Sequence, residues 1–324
     1  MNRRHVLTIA AATLAAPRLS LAQDNWPNRP VTLLVPFAAG GSNDVVARFI
    51  APALEQKFGQ PFVIDNRPGG GGSLGMGMVA RGRPDGQTLL ISSASNHVFH
   101  PLVSGDLGYD PREALVGVAM LTDVPTVLAA NPRAGVSTVQ ELIAKVRATR
   151  DGFSFGSSGV GTSNHLAGEL FRMRTRLDLT HVPYRGGGPA LTDLVAGTIP
   201  IAFMNLPTVA PAAEDGRVKI LGVCTGQRVS VRPELPTVTE QGVPDFAVRS
   251  WTGIFAPRGT SPAIVARVGA AVNEALAAPA LTARLTAIGA EPILMTPAET
   301  DAFVRQEFDR WAPVVRAANI SANG

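Results

Sequence analysis

Short apolar runs alternate with longer amphipathic segments along most of the chain. The first run spans 31–35 and is followed by a glycine-containing turn and then by the segment 43–58. In that segment the apolar residues recur at helical spacing: Val45, Val46, Phe49, Ile50, Ala53 and Leu54. Because an apolar face at this spacing is typical of a helix packed on a core, the pattern predicts a strand followed by a helix.

The same alternation continues to the end of the chain and predicts an α/β fold around a mostly parallel sheet. Further strands are predicted over 61–64, 88–92, 126–130, 154–156, 180–183, 201–203, 219–224 and 251–256. Helices are predicted over 73–81, 137–148, 165–173, 262–277, 280–288 and 297–317, and another follows the glycines at 186–188. Ser137 is the expected N-cap of the helix over 137–148, with Gln140 placed to complete a capping box.

The elements form two βα blocks and a C-terminal helical segment, with no flexible linker between the blocks. This arrangement is typical of two-lobed proteins in which the chain crosses twice between the lobes. We place the crossings near 123–125 and 250–251. The first lobe then comprises 23–124 and 251–324, and the second lobe comprises 125–250.

The composition indicates a folded protein with a substantial core. The 324 residues are 45% apolar and 17% charged, a balance that excludes general disorder. A single cysteine excludes a disulfide framework and a cysteine-built zinc site.

Residues 1–22 have the three parts of a secretory signal peptide. Arg3 and Arg4 supply the positive charge, an apolar stretch follows over 6–16, and small residues precede a predicted cleavage before Gln23. The apolar stretch is shorter than a membrane-spanning helix requires, and an uncleaved anchor is the alternative. We expect export by the Sec route or, because of the paired arginines, by the twin-arginine route.

The chain beyond the predicted signal is nearly neutral, and this bears on the partners it can bind. The chain has 29 basic and 25 acidic residues, and removal of the three arginines in 1–22 leaves 26 basic against 25 acidic. No run of lysine or arginine is present in the remainder. Because a nucleic-acid binder needs a basic stripe, that class is excluded.

Three glycine-rich turns, 40–44, 159–163 and 185–189, each lie just before a predicted helix. Glycine lets the backbone turn tightly and lets a ligand approach, and a helix start offers unpaired N–H groups at the positive end of its dipole. Anions bind at such starts without lysine or arginine. Glycine at one strand-to-helix turn is ordinary in an α/β protein, but three such turns predict a shared anion site in a cleft.

These turns lie within segments that resemble the Bug family, the extracytoplasmic solute receptors of tripartite tricarboxylate transporters. The resembling segments are VPFAAGGSNDVVAR at 35–48, DNRPG at 65–69, DGQTLL at 85–90, GTSNHLAG at 161–168, VPYRGG at 182–187, LPTVTEQG at 235–242 and WTGIFAP at 251–257. They occur in order along the chain, and the resemblance spans essentially the whole chain beyond the signal. The resemblance is therefore specific.

The resemblance implies a monomeric periplasmic binding protein of the two-lobed, hinge-closing kind, similar to type II. Each lobe would be a mixed sheet flanked by helices, with a small carboxylate held in the cleft between them. Di- or tricarboxylates and aromatic acids are the expected ligands. Delivery would be to the transporter's membrane subunits or, alternatively, to a sensor protein.

The resemblance also implies a set of ligand-binding residues. These are Phe37, Ala38, Gly41, Ser42, Asn43, Asp44, Ser95, Gly161, Thr162, Ser163, Tyr184, Arg185, Gly186, Gly187 and Asn205. For Asp44 the alternative is an acid that stabilises the first helical turn and pairs with Arg48. For Arg185 the alternative is a solvated turn residue. Met204 stands where many relatives have an acid, so an amino-acid ligand is disfavoured.

Enzyme motifs are weak in this sequence. The segment 70–75 satisfies G-x-G-x-x-G, but no acid follows about 20 residues later, and the segment GSSG at 156–159 lacks the spacing of the nucleophile motif G-x-S-x-G. His97 and His100 are three residues apart without a third ligand at metal-binding spacing. We expect a binding protein without catalysis, cofactor or metal. A secreted hydrolase using the same cleft is the alternative.

Overall fold

The computed structural model describes residues 26–104, 107–149 and 153–317, so the predicted signal peptide lies outside the described residues. Within them the strands are β1 Val31–Val35, β2 Phe62–Asn66, β3 Thr88–Ser93, β4 Leu115–Ala130, β5 Phe153–Ser157, β6 Leu179–Pro183, β7 Ile201–Asn205, β8 Lys219–Val223, β9 Arg249–Pro257 and β10 Glu291–Pro292. The α-helices are α1 Ser42–Phe58, α2 Ser73–Ala80, α3 His100–Ser104, α4 Pro111–Ala114, α5 Val139–Ala148, α6 Ser163–Thr175, α7 Gly187–Ala196, α8 Leu206–Glu214, α9 Pro262–Ala277, α10 Pro279–Ala287 and α11 Pro297–Ala317. Short helical turns of other kinds occur at Gly70–Gly72, Ser95–Phe99 and Pro132–Ala134.

The strands form one mixed sheet in the order β2-β1-β3-β9-β4-β7-β5-β6, and β8 and β10 also pair with β4. β1 runs parallel to β2 and β3, and β5 runs parallel to β6 and β7. β9 and β4 run antiparallel to their neighbours in the middle of this order. The α/β class predicted from the alternation is confirmed, with antiparallel strands joining two parallel sets.

β4 is a 16-residue strand that belongs to both parts of the sheet. Its first part pairs with β9 as far as Pro125, and its second part pairs with β7 from Thr126 onward. We call β1, β2, β3, β9, β10 and the first part of β4 the first half, and the remaining strands the second half. The sequence predicted only 126–130, because a proline at 125 disfavours a central strand. Pro125 is tolerated where the pairing changes partner.

Helices cover both faces of each half. In the first half, α1, α9 and α10 pack on one face around Leu33, Ile91 and Ile254, and α2 and α11 cover the other. In the second half, α5 and α6 lie on one face, and α7 and α8 lie on the other. A fully buried leucine or phenylalanine contributes about 1.5–3 kcal/mol, so these apolar layers supply most of the driving force for folding.

No single helix in the described ranges is long and apolar enough to cross a membrane. The pair α9 and α10 together has the length and composition, but the two helices are bent by 75° at their junction. On α9 the apolar side chains of Val268, Val272 and Leu276 are buried in the core of the first half.

The capping box of α5 begins one residue later than predicted. Thr138, not Ser137, is the N-cap, and its hydroxyl accepts a hydrogen bond from the N–H of Glu141 at 3.1 Å. The Glu141 carboxylate accepts in return from the N–H of Ser137 at 2.6 Å. A carboxylate is a stronger acceptor than the amide of Gln140, which explains the shift by one residue.

The antiparallel pair β4 and β9 carries three buried hydroxyls at facing positions. Thr122 lies opposite Thr252, and Ser250 lies two residues from Thr252 on the same side of β9. All three side chains are almost completely buried, and none of the three hydroxyls has a hydrogen-bond partner among the described residues. Unpaired buried hydroxyls are costly, so the strands that join the two halves are not packed for greatest stability.

Candidate functional site

Four helix N-termini meet where the two halves of the molecule face each other. α1 of the first half begins after Gly41, and α6, α7 and α8 of the second half begin after Thr162, Gly186 and Asn205. A Cβ added at Gly41 would lie only 3.4 Å from the nitrogen of Gly187. The three glycine-rich turns singled out in the sequence are therefore brought together.

A small inner cavity of about 20 Å³ lies among these helix starts. Its lining residues are Phe37, Gly41, Ser42, Asn43, Ser93, Ser95, Ser158, Asn164, Gly187 and Asn205. They come from both halves of the molecule, and none of their side chains carries a charge. The space is that of about one water molecule.

A chain of hydrogen bonds joins polar side chains around the inner cavity. Ser158 Oγ donates to Asn164 Oδ1 at 2.5 Å, and Asn164 Nδ2 donates to Asn205 Oδ1 at 2.9 Å. Asn205 Nδ2 then donates to Ser42 Oγ at 2.9 Å, which links the second half to the first. The chain fixes the side chains that surround the cavity.

Asn43 departs from this pattern of paired groups. Its side chain is 4% exposed and lines the inner cavity, yet its Nδ2 has no hydrogen-bond partner among the described residues. A buried amide donor left unpaired costs about 1–3 kcal/mol, so such a group in a cavity indicates a binding role. Asn43 is therefore a candidate donor to an acceptor in the cavity.

The electrostatic character of the inner cavity comes from backbone groups. The first-turn N–H groups of α1 and α7, at Ser42, Asn43, Gly187 and Gly188, have no acceptor within their own helices because of helix geometry. Each helix start also carries a partial positive charge. With no carboxylate in the lining, an anion is attracted and an ammonium group finds no counter-charge.

A larger outer cavity of about 360 Å³ adjoins the inner one. Its lining residues are Phe37, Gly69, Gly70, Gly71, Gly72, His100, Ser158, Gly159, Val160, Pro183, Tyr184 and Arg185. Phe37 and Ser158 line both cavities. At Gly72, where φ is +96°, a Cβ would lie 2.9 Å from the ring of Phe37, so the close approach requires glycine.

The side chains of the outer cavity are more varied than those of the inner one. Burial lowers the pKa of His100 below 6.5, so its imidazole is neutral near pH 7, and its Nδ1 lies 3.3 Å from the carbonyl oxygen of Val160. The Tyr184 hydroxyl donates to Asp193 at 2.7 Å, and burial raises the pKa of Tyr184 to about 12. Arg185 is exposed and supplies the positive charge.

The predicted binding residues divide into two groups. Those that line a cavity are Phe37, Gly41, Ser42, Asn43, Ser95, Tyr184, Arg185, Gly187 and Asn205. Those that lie beside the cavities without lining them are Ala38, Asp44, Gly161, Thr162, Ser163 and Gly186. Ala38 and Gly186 contact each other across the cleft, where the N–H of Ala38 donates to the carbonyl oxygen of Arg185 at 3.1 Å.

Asp44 holds the turn before α1. Its carboxylate accepts from both the Nε and the Nη2 of Arg48 at 2.9 Å, from the N–H of Gly40 at 3.0 Å and from Asn66 Nδ2 at 3.1 Å. Burial opposes ionisation, but these hydrogen bonds outweigh it and lower the pKa of Asp44. Of the two alternatives for this residue, the contacts are those of the first-turn acid paired with Arg48.

Thr162 caps a helix within the second half, and Ser163 forms part of the contact between the halves. Thr162 is the N-cap of α6, and its hydroxyl accepts from the N–H of His165 at 3.3 Å. The N–H of Ser163 donates to Ser95 Oγ at 3.1 Å, and the two serine hydroxyls are 3.0 Å apart. Both residues therefore support the cleft from behind the cavity walls.

Several cavity residues were not predicted from the sequence. They are Asn164, Ser158, His100 and the glycines at 69–72. Two sequence signals pointed to them: Asn164 lies within a segment that resembles the family, and four consecutive glycines follow β2. His100 carries no such signal, because only the tertiary fold brings it to the cleft.

His97 and the nearby aromatic residues are part of the core of the first half. The His97 ring lies 4.3 Å from that of Phe255 and 6.1 Å from that of Trp251, and its Nδ1 is 3.1 Å from Ser92 Oγ. No cluster of three or more histidine, cysteine or acidic side chains in the described ranges is placed to hold a metal ion. Trp251 and Phe255 pack as core residues and line neither cavity.

Comparison with protein families gives a match over residues 46–320 to the tripartite tricarboxylate transporter family receptor. A similar curated protein is BugT of Bordetella pertussis, which is 38% identical over 313 residues. That alignment covers 95% of this chain and 94% of BugT. The similarity therefore extends over nearly the whole of both proteins.

Two solved structures have a closely similar fold. Rpa4515 of R. palustris, solved with adipate, superposes with a TM-score of 0.88 at 38% identity, covering 91% of this chain and 99% of that one. MatC (Rpa3494) from Rhodopseudomonas palustris, solved with bound malate, gives a TM-score of 0.83 at 35% identity, covering 90% and 100%. Both proteins hold a small dicarboxylic acid.

Proposed function

The chain belongs to the receptor family of tripartite tricarboxylate transporters, and we propose that it captures a small carboxylate in its cleft for delivery to the membrane subunits of such a transporter. Members of this family are periplasmic solute-binding receptors. The ligand class we propose is a small di- or tricarboxylate. An aromatic acid is the second candidate, favoured by the rings of Phe37 and Tyr184 in the outer cavity.

One carboxylate group would lie at the inner cavity, with one of its oxygen atoms in the space of about one water molecule. The observation that carries this assignment is the unpaired amide of Asn43 beside the starts of α1 and α7, in a lining without charged side chains. Hydrogen bonds from neutral donors to a charged group contribute about 1.5–3 kcal/mol each. Two or three such bonds would select a carboxylate over a neutral or cationic group.

The outer cavity would hold the rest of the ligand. The inner cavity is too small for a whole dicarboxylic acid, whereas the outer one is many times larger and shares Phe37 and Ser158 with it. Arg185 lies in the outer lining and can pair with a second carboxylate. An acid that spans both cavities would therefore contact both halves of the molecule.

We propose that 23–124 with 251–324 forms one lobe, that 125–250 forms the other, and that the lobes close on the ligand. The change of pairing partner on β4 between Pro125 and Thr126 supports this division. Bonds across the cleft, such as that from Asn205 to Ser42, would form on closure. A ligand that contacts both lobes shifts the equilibrium toward the closed state by its differential affinity.

We propose a binding role without catalysis. The pair that most resembles catalytic machinery is Ser157 and His181, with Oγ and Nε2 2.6 Å apart. Ser157 is fully buried and its hydroxyl is engaged with Gly159, so it has no access to a substrate. The relatives are receptors, and nothing in the comparisons supports a hydrolase.

Several further assignments complete the proposal. The protein would be exported by its 1–22 signal, through the Sec or the twin-arginine route, and would act as a monomer without a cofactor. Its partners would be the membrane subunits of the transporter or, in the alternative, a sensor protein. Nucleic acid is not among the proposed partners.

A thermal-shift and calorimetric screen tests the function. Adipate, malate, citrate, benzoate and acetate would each be titrated into the mature chain. We expect at least one di- or tricarboxylate to stabilise the protein by about 2.7 kcal/mol at a hundredfold excess over its Kd, and to be recovered unchanged. The proposal would be overturned by the absence of binding to every acid, or by turnover of ester or amide substrates.

A further inference from the structure

Three flat rings are stacked beneath the turn that leads into α6. Phe155 on β5 and His181 on β6 are neighbours in the parallel pairing, with ring centroids 5.0 Å apart and planes at 23°. His165, in the first turn of α6, stacks on His181 at 4.1 Å and 21°. None of these rings lines the inner or the outer cavity.

Hydrogen bonds connect the two imidazoles to the backbone of the turn. His165 Nδ1 accepts from the N–H of Gly161 at 3.1 Å. His181 Nε2 lies 2.6 Å from Ser157 Oγ, which in turn accepts from the N–H of Gly159 at 3.1 Å. Each imidazole therefore fixes, directly or through a serine, one glycine of the turn.

The turn needs such support because of its conformation and its position. Gly159 and Gly161 have φ values of +126° and +73°, which other residues rarely adopt and which glycine leaves easily. In the same turn Ser158, Gly159 and Val160 line the outer cavity, and Ser158 also lines the inner one. A shift of this backbone would change the shape of both cavities.

We propose that His165 is a positioning residue for ligand binding, whose unprotonated Nδ1 holds the Gly161 N–H and thereby fixes the 158–160 backbone that lines the cleft. The proposal rests on the function assigned above and adds a residue that does not touch the ligand. His181, stacked against His165 and bonded to Ser157, supports the other end of the same turn.

The charge state of the cluster agrees with this role. Burial lowers the pKa of His165, with the Glu169 carboxylate opposing and the Arg172 guanidinium adding to the effect. Burial, reinforced by His165, lowers the pKa of His181 to about 3. His100, which approaches Gly161 from the first half, is also kept neutral by burial. A proton on His165 Nδ1 would face the N–H of Gly161 and break their bond.

The test compares His165→Asn with His165→Leu. An asparagine side chain can place its Oδ1 near the position of Nδ1 and accept from Gly161, whereas leucine fills the space without an acceptor. With adipate as the probe, we expect the leucine variant to bind about tenfold more weakly and the asparagine variant to stay within about threefold of the parent chain. Equal losses in both variants would contradict a positioning role through Nδ1.

Amide hydrogen exchange gives a readout that needs no ligand. The Gly161 amide should lose protection in His165→Leu and keep it in His165→Asn, with global stability measured in parallel. Unchanged protection in the leucine variant would overturn the proposal. Failure of the parent chain to bind any acid, with the exchange result as expected, would instead count against the assigned function alone.

The pH profile separates a positioning role from a purely structural one. At pH values low enough to protonate His165, whose pKa burial holds below 6.5, the affinity of the parent chain should fall. His165→Asn should follow only the titrations that both proteins share, those of the probe and of groups such as His100. Parallel profiles for the two proteins would contradict the proposal.

Discussion

Asn205 Nδ2 donates to Ser42 Oγ across the cleft at 2.9 Å, and so joins the start of α8 to the start of α1. The same side chain accepts from Asn164 Nδ2 at 2.9 Å through its Oδ1. One amide thus serves both halves of the molecule at the wall of the inner cavity. Its chemistry allows the proposed anion site to be tested by adding a charge without changing the shape.

We expect Asn205→Asp to fold normally and to bind carboxylates at least about tenfold more weakly. The new carboxylate can accept from both Asn164 and Ser42 and suits a helix start, but it repels an anion in the inner cavity. Calorimetric titration measures the loss, with Asn205→Ala as the uncharged control. Affinity equal to that of the parent chain would mean that the ligand carboxylate binds elsewhere.

Gly187→Val should abolish binding while the melting temperature without ligand changes by only a few degrees. A Cβ at this position lies 3.2 Å from both Cγ2 and Oγ1 of Thr208, and the larger side chain would fill the approach between α7 and Gly41. Thermal shift with the best acid is the measurement. The control is Gly226→Val, where a Cβ meets only Ala247 at 3.6 Å. If Gly187→Val keeps its affinity for the acid, the start of α7 does not form part of the binding site.

Arg185→Gln should weaken the binding of dicarboxylates by up to about fivefold and leave the binding of monocarboxylates unchanged. The effect is limited because an exposed ion pair contributes less than about 1 kcal/mol. Paired titrations of adipate and benzoate, repeated at high salt, give the comparison. Arg217→Gln is the matched control, since that exposed arginine pairs with Asp215 at 2.9 Å away from both cavities. Equal losses for mono- and dicarboxylates would contradict a role in binding the second carboxylate.

Stability should fall as the pH drops below 6.5. Burial lowers the pKa of His97 to about 3, against a weak opposing effect of Asp110, whereas the imidazole of the unfolded chain has a pKa of 6.5. Between these values the unfolded state binds more protons, so acid favours unfolding by up to about 1.4 kcal/mol per pH unit for each such histidine. Urea unfolding from pH 7.5 to 5 measures the slope. In His97→Phe the slope of the unfolding free energy against pH should correspond to one fewer proton taken up on unfolding. An unchanged slope would mean that His97 is not the histidine whose pKa is lowered by burial.

Thr252→Val should raise stability by about 1 kcal/mol. The hydroxyl of Thr252 is buried without a partner opposite Thr122, and valine has the same shape without the polar atom. Thr260→Val is the contrasting control, because the Thr260 hydroxyl donates to the carbonyl oxygen of Pro257 at 2.7 Å. Loss of that hydrogen bond should lower the stability. A loss of stability in Thr252→Val would show that the hydroxyl has a partner in solution.

The sequence predicted the regular elements well where the local pattern decides the structure. β1, α9 and α11 have the predicted bounds, since each is a continuous apolar or amphipathic run with clear ends. The convergence of the glycine turns also followed, because strand ends of an α/β sheet lie at a common edge. These parts depend on residues that are close in sequence.

The features that were not predicted from the sequence depend on contacts between residues that are distant along the chain. The first part of β4 was not predicted, because Pro125 interrupts the pattern. The role of His100 at the outer cavity arises only because α3 packs against the second half. Short-range patterns carry no information about such approaches.

The sharing of β4 between the two halves also bears on how the protein can be dissected. Cutting the chain between Pro125 and Thr126 would expose open sheet edges on both fragments, because β9 would lie on one fragment and both of its neighbours, β3 and the first part of β4, on the other. Neither fragment would then be a self-sufficient domain. The halves should melt together in a single calorimetric transition, and engineered sensors should insert reporters into surface loops and leave this strand intact.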